Sequence, residues 1–298
     1  MKVQLCMALL CAAGLSVAQR TATFKVGNME IIAMQDKDHG MPNKLFQGAP
    51  PEEIEEAVPS GNSPASINMF VIKTAKHTYL IDTGTNTDSL LKNLKSVGLT
   101  PSDIDVILIT HMHGDHIGGL LANSKAAFPN ATLYISKDEY NYWRQANPNV
   151  KLLGIAYMKR IELFKYGEDL PIVRMEVSER EKTKALVLGR EVPKVIQMTD
   201  DTFQGLEALG HTPGHTVFEN NLLIAIGDLV HSAALQFKDP EICAQYDMNM
   251  PKAVVSRKKV FDRAAETKKV VIGAHLPFPG IGHIVKDEAD RYEFIPLK

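Results

Sequence analysis

The run His111-Met112-His113-Gly114-Asp115-His116 places three imidazoles and a carboxylate within six residues. Imidazole nitrogen with carboxylate oxygen is the ligand set of zinc and related divalent ions. The apolar segment Val106-Ile107-Leu108-Ile109-Thr110 comes directly before it. A strand ending in such a run presents its last side chains at a sheet edge, and Gly114 with the Gly118-Gly119 pair lets the backbone turn tightly around a shared centre. Solvated surface histidines are the plainer reading; the density of ligand types favours a metal.

Four more positions share this character: Asp82 in Leu80-Ile81-Asp82-Thr83-Gly84, His215 in His211-Thr212-Pro213-Gly214-His215-Thr216, Asp228 in Ile226-Gly227-Asp228, and His275 in Gly273-Ala274-His275. Each ends a strand or sits in its loop. Asp82 reads equally as a turn residue of Asp-Thr-Gly or as the carboxylate that fixes the tautomer of a ligating imidazole.

The elements that must hold these residues are strands alternating with helices, which predicts helices layered on sheet. Strands are expected at 21–26, 30–34, 67–73, 78–81, 132–135, 206–209, 222–226, 270–273, 283–286 and 292–295, the first two joined by a Gly27-Asn28 turn. Helices are expected at 88–97, 137–145 and 251–267, with Pro251 in the first turn of the last. Residues 37–65 are rich in Gly and Pro around one acidic helix near Glu52–Glu56, as in a loop draped over a pocket. The apolar stretch from Leu152 to Phe164 reads as helical, part of an insertion near 148–184 over the site.

At 298 residues, 45% hydrophobic and 23% charged, the chain can bury a full core. A net charge of -2 without a long basic block argues against nucleic acid and against a membrane surface. Residues 1–18 have a positive start, an apolar stretch and a small-residue end, the pattern of a secretory signal, which predicts one domain over 19–298 that is periplasmic or secreted. Cleavage there leaves Cys243 without a disulfide partner, so it reads as a small buried hydrophobe or, less simply, as a ligand or nucleophile.

Together these segments resemble the metallo-β-lactamase superfamily, whose five motifs occur in this order and cover essentially all of the chain after residue 18. The resemblance implies the α/β (α+β) class and an αββα sandwich of two mixed β-sheets flanked by helices. It puts His111, His113 and His215 on one divalent ion, most simply Zn2+, and Asp115, His116 and His275 on a second, with Asp228 bridging and Asp82 behind the ligands. Two such ions lower the pKa of bound water enough to supply a nucleophile near neutral pH. Asp115 would pass a proton to the leaving oxygen. His231 would donate to the developing oxyanion, or be a packed histidine. His211 and His283 are expected behind the ligands or in the core, and His39 and His77 at the surface. Trp143, Phe237 and Phe278 would wall an apolar substrate pocket, although each also reads as core.

Within the superfamily, the strings from Gly227 to Phe237 and from Gly273 to Ile284 resemble the methyl parathion hydrolase branch, which includes lactonases. Two departures favour a lactone or carboxylic ester. The helix follows Asp82-Thr83-Gly84 without the Phe-containing Gly-rich segment of organophosphate-hydrolysing members. His231 stands third after Asp228, where lactonases place a hydrogen-bond donor. The leading expectation is thus a small-molecule lactonase or esterase, with quorum-quenching acyl-homoserine lactones among its substrates. A phosphotriester hydrolase and a non-catalytic metal-binding module are the alternatives. His113 stands where a diiron oxidoreductase would carry glutamate, and the branch strings point away from a β-lactamase proper. The branch also allows a homodimer.

Overall fold

Most strands of this chain are apolar on both faces, and such a strand needs a covering layer on each side. The computed structural model, which describes residues 20–170, 199–289 and 291–298, provides those layers as two seven-stranded mixed sheets. The first contains β1 (Thr21–Val26), β2 (Met29–Asp38), β3 (Ser66–Lys73), β4 (Thr78–Ile81), β5 (Val106–Leu108), β6 (Thr132–Ser136) and β7 (Ile161–Phe164). The second contains β8 (Asp169–Leu170), β9 (Phe203–Glu207), β10 (Thr216–Glu219), β11 (Leu223–Ala225), β12 (Val270–Ile272), β13 (Ile281–Lys286) and β14 (Tyr292–Pro296). In each sheet the spatial order follows the chain order.

Four neighbouring pairs are parallel: β4 with β5, β5 with β6, β6 with β7, and β11 with β12. A parallel pair needs a crossover, and the helices supply it. Among the described residues these are α1 (Pro51–Ala57), α2 (Thr87–Ser96), α3 (Gly114–Ile117), α4 (Lys137–Ala146), α5 (Pro148–Ala156), α6 (Ala233–Gln236) and α7 (Met250–Thr267). Of these, α1 lies outside the crossovers, in the connection between β2 and β3.

Period-two alternation sorts the core into three layers. Ile31, Phe70, Ile72, Tyr79 and Leu108 of the first sheet meet Phe203, Phe218, Ala225 and Ile272 of the second. Their chain neighbours Ile32, Val71, Leu80 and Ile107 point the other way, under Leu90 and Leu94 of α2 and Val150 and Leu153 of α5. On the far side Val217, Ile224, Val271 and Ile284 are covered by Val260, Phe261 and Ala264 of α7. Each such side chain, fully buried, contributes about 1.5–3 kcal/mol. The sandwich flanked by helices is therefore the one expected.

Three strands differ from expectation; one, β8, pairs Asp169 with Gln204 and Leu170 with Phe203 inside the expected insertion. β10 holds only two apolar residues, Val217 and Phe218, between Thr216 and Glu219, too short a run to mark a strand in sequence. The apolar stretch 152–164 is not one helix: α5 stops at Ala156, and Ile161–Phe164 is the edge strand β7, pairing Leu133 with Ile161. Helix and strand are separated by a turn in which the Arg160 guanidinium binds the carbonyls of Phe128 and Ala131. The remainder of the expected insertion, 171–184, and the expected leader, 1–18, lie outside the described residues.

Candidate metal centre

Asp82, the 111–116 run, His211, Asp228 and His275 follow the C-terminal ends of β4, β5, β9, β11 and β12, all at one rim of the sandwich. That rim is where strand ends of α/β sheets gather functional groups. His111 Nε2 lies 3.0 Å from His113 Nδ1, which lies 3.1 Å from His211 Nε2. Asp228 Oδ2 is 3.3 Å from His211 Nε2 and 3.6 Å from His111 Nε2.

A second group adjoins the first. His116 Nε2 sits 3.2 Å from Asp228 Oδ1, and His275 Nε2 is 3.0 Å from Asp228 Oδ2 and 3.5 Å from Asp115 Oδ2. Asp228 faces both groups. Ligands about 2.0–2.1 Å from a tetrahedral ion lie roughly 3.3 Å from one another, the spacing found in these contacts.

Three of the rings are held by their other nitrogen. His116 Nδ1 is 2.8 Å from Asp82 Oδ2, and Asp82 also accepts from the Thr110 N–H at 2.9 Å and the Thr110 hydroxyl at 2.8 Å. Asp82 is thus both the turn residue, at φ 56°, and the carboxylate behind a ligand. His275 Nδ1 faces the Ser66 carbonyl at 3.1 Å, and His211 Nδ1 faces Asp247 Oδ1 at 2.9 Å. Such partners fix the tautomer that leaves the opposite lone pair free.

His215 corrects the expectation. Its Nδ1 faces the Ala208 carbonyl at 3.1 Å, and its Nε2 accepts the Asp228 N–H at 3.0 Å. With both nitrogens committed, no lone pair remains for a cation. His211, expected behind the ligands, takes its place in the cluster with His111, His113 and Asp228. His-Thr-Pro-Gly-His offers two imidazoles in one loop, and the loop alone does not say which one Asp247 orients.

Buried polar atoms without an aligned hydrogen bond test whether a cation suits the site. His116 Nε2 and Asp228 Oδ1 are both buried and, although 3.2 Å apart, neither makes a well-formed hydrogen bond. The electrostatics agree. Burial holds His111 far below its ordinary value and His113 at about 4, so both rings are neutral lone-pair donors. For His116 and His275 burial pulls the same way, but the charge of Asp228 overcomes it and raises both. The carboxylates demand positive charge here, and neutral imidazoles are available to bind it. Two divalent ions fit: His111, His113 and His211 would hold one, Asp115, His116 and His275 the other, with Asp228 between them.

The profile of the metallo-beta-lactamase superfamily matches residues 63–275. This chain belongs to that superfamily. A solved hydrolase of the superfamily, AbOPH, is 30% identical, with 93% of this chain and 97% of that one covered at a TM-score of 0.77. AidC, a dizinc quorum-quenching lactonase solved with N-hexanoyl-L-homoserine as product, is 25% identical, with 94% and 98% covered at a TM-score of 0.76. The exodeoxyribonuclease WalJ of Streptococcus pneumoniae is 31% identical over 106 residues, 36% of this chain. The match covers only 37% of that relative's length.

As a member of the metallo-beta-lactamase superfamily, the chain has further groups around these residues. Asp115, its side chain 29% exposed, is the accessible carboxylate of the cluster. His231 is buried, with Nε2 3.3 Å from Asp228 Oδ2, its ring stacked 5.1 Å from that of His275 and its Nδ1 unpartnered. Trp143 meets the His113 ring edge-on at 5.3 Å and, partly buried, packs against the core layer under α2 and α5. Phe237 does not join it: this side chain is core, stacked on Phe261 at 4.8 Å and Phe294 at 5.5 Å. Phe278 lies under the Arg20 guanidinium, 4.9 Å from the ring centre, and with Phe237 lines a separate cavity of about 370 Å3. Helix α6, beneath the 228–232 turn, delivers Phe237 inward to α7, which is why position in the string misled.

Three residues at the rim carried no functional signal in sequence. His39, half-buried, faces His275 at 6.1 Å, and Tyr246 faces His231 at 5.9 Å. Glu139, fully buried, accepts the Met112 N–H, the Thr212 hydroxyl and the Gly214 N–H, each at 2.8 Å, and so ties the two ligand loops together. Burial pushes its pKa up. His283 Nδ1 contacts the Lys269 carbonyl, and Cys243 is buried, as a small hydrophobe is expected to be.

Proposed function

We propose that this hydrolase opens lactones, acyl-homoserine lactones among them, and cleaves carboxylic esters, with two zinc ions in its centre. The observation that carries the reading is the full-length likeness to a dizinc lactonase, 94% of this chain at a TM-score of 0.76. Two divalent ions, when bound, supply Lewis acidity and a nucleophile at neutral pH.

The chain's own residues do the rest. Asp228, with Oδ1 against His116 and Oδ2 against His111, His211 and His275, faces both ligand groups and fixes the spacing between them. Burial raises the Asp115 pKa, but His116 and His275 more than offset it, so the group sits below its ordinary value and is ionised at neutral pH. It can therefore accept a proton at Oδ1, the oxygen not turned to His116 and His275, and return it to the leaving alkoxide. His231 stands beside the same space and is placed to hydrogen-bond the substrate carbonyl oxygen, whose charge grows as the carbonyl carbon becomes tetrahedral. Trp143 and Tyr246 provide apolar area on either side for an acyl or aryl group. Residues 1–18 fit export, so the activity belongs to the periplasm or the medium.

The test is proton release from zinc-loaded protein offered lactones of several chain lengths, aryl esters and a phosphotriester. Lactone turnover well above phosphotriester turnover is expected. Phosphotriester turnover far above all lactones would overturn the reading in favour of the alternative chemistry.

A further inference from the structure

Helix α7 carries a guanidinium, Arg257, with no solvent exposure at all, although its helix otherwise turns charges outward. Arg257 Nε donates to the Leu229 carbonyl at 2.6 Å, and Nη1 donates to the carbonyls of Pro240 at 2.6 Å and Ile242 at 2.9 Å. Nη2 reaches Asp247 Oδ2 at 3.3 Å, and that oxygen also accepts the Ala244 N–H at 3.2 Å. The other oxygen of Asp247 holds His211 Nδ1 at 2.9 Å. One guanidinium therefore grips the residue after Asp228 and, through Asp247, the ring of His211. These two ligand-bearing segments follow different strands.

Burying an ion pair costs several kcal/mol of desolvation and yields little net stability. What a planar guanidinium with four of its five N–H groups engaged does provide is fixed geometry. We propose that Asp247 and Arg257 form a buried positioning pair that locks His211 with Nε2 toward Asp228 and thereby sets the affinity of the ion held by His111, His113 and His211. The proposal rests on the dinuclear reading above, and the pair touches neither substrate nor ion.

Cobalt(II) titration of metal-free protein, followed by visible absorption, tests both. Asp247→Asn is the main variant, because an amide cannot accept from His211, Arg257 and Ala244 together. Arg257→Lys keeps the charge but loses the fork. Glu219→Gln is the control: this buried carboxylate pairs with Arg263 and Lys269 away from the cluster, so its loss lowers stability alone. Wild-type protein should take two cobalt ions. D247N should bind one as tightly as wild type and the other roughly 10–100-fold more weakly. R257K should weaken that same ion, and E219Q neither. Two ions at wild-type affinity in D247N, or equal weakening in E219Q, would overturn the positioning role while leaving the dinuclear centre intact. Wild-type protein that takes up no cobalt would overturn both.

Discussion

His211 and His215 lie four positions apart in one loop, yet only His211 keeps a lone pair for a cation. The difference comes from Asp247, 36 residues further on, and from the Asp228 N–H, so no reading of the loop itself could reveal it. Most of the site was legible, because the 111–116 run, Asp228 and His275 announce themselves by residue type at strand ends. Glu139, Asp247 and Arg257 were not, since an isolated charge on a helix or turn reads as solvated until tertiary packing buries it. Replacing His211 with alanine should remove one zinc equivalent and lower hydrolysis by at least about 100-fold. Replacing His215 should leave both ions in place and cost about 1–3 kcal/mol, the penalty for stranding the Asp228 N–H and the Ala208 carbonyl. Elemental analysis and urea denaturation of the two variants check the pair of outcomes, and the opposite pattern would restore His215 as the ligand.

Helices and turns bring the ligand loops into register. Ser136 caps α4 by accepting the Glu139 N–H, which sets the first turn so that the Glu139 carboxylate enters the gap between the 111–113 and 212–214 segments. In Glu139→Gln the amide nitrogen must face at least one donor, so a loss of about 2–4 kcal/mol is expected in denaturant unfolding, with weaker zinc binding beside it. Glycine roles also separate at this scale. A Cβ on Gly118 would sit 2.2 Å from the Thr85 carbonyl oxygen, whereas one on Gly114 would meet nothing within 4 Å. Gly118→Ala should therefore cost about 1–3 kcal/mol, and Gly114→Ala should change stability by less than about 0.5 kcal/mol. Sequence treated both as turn glycines; close approach of backbone, rather than dihedral freedom, distinguishes them. Strand and helix order was legible because both sheets follow chain order and most strands are short apolar runs bounded by turn residues. β7, β8 and β10 escaped, the first merged into an apolar run and the other two too short in apolar residues to stand out.

For the whole molecule, two sheets contribute ligands to one centre: His111, His113, Asp115 and His116 from the first, His211, Asp228 and His275 from the second. A cation bound there bridges the halves of the sandwich and stabilises the folded state by mass action, about 2.7 kcal/mol per site at a free concentration one hundred times Kd. Chelation should lower the thermal midpoint, and zinc readdition should restore it; a midpoint indifferent to both would place the ions outside the fold's energetics. The central claim, that imidazoles and carboxylates from both sheets converge on two cations, is tested most directly by elemental analysis of folded protein after zinc reconstitution and removal of free metal. Two zinc ions per chain in the wild type, falling below one in Asp228→Ala, is the expected result. Fewer than one in the wild type would contradict it.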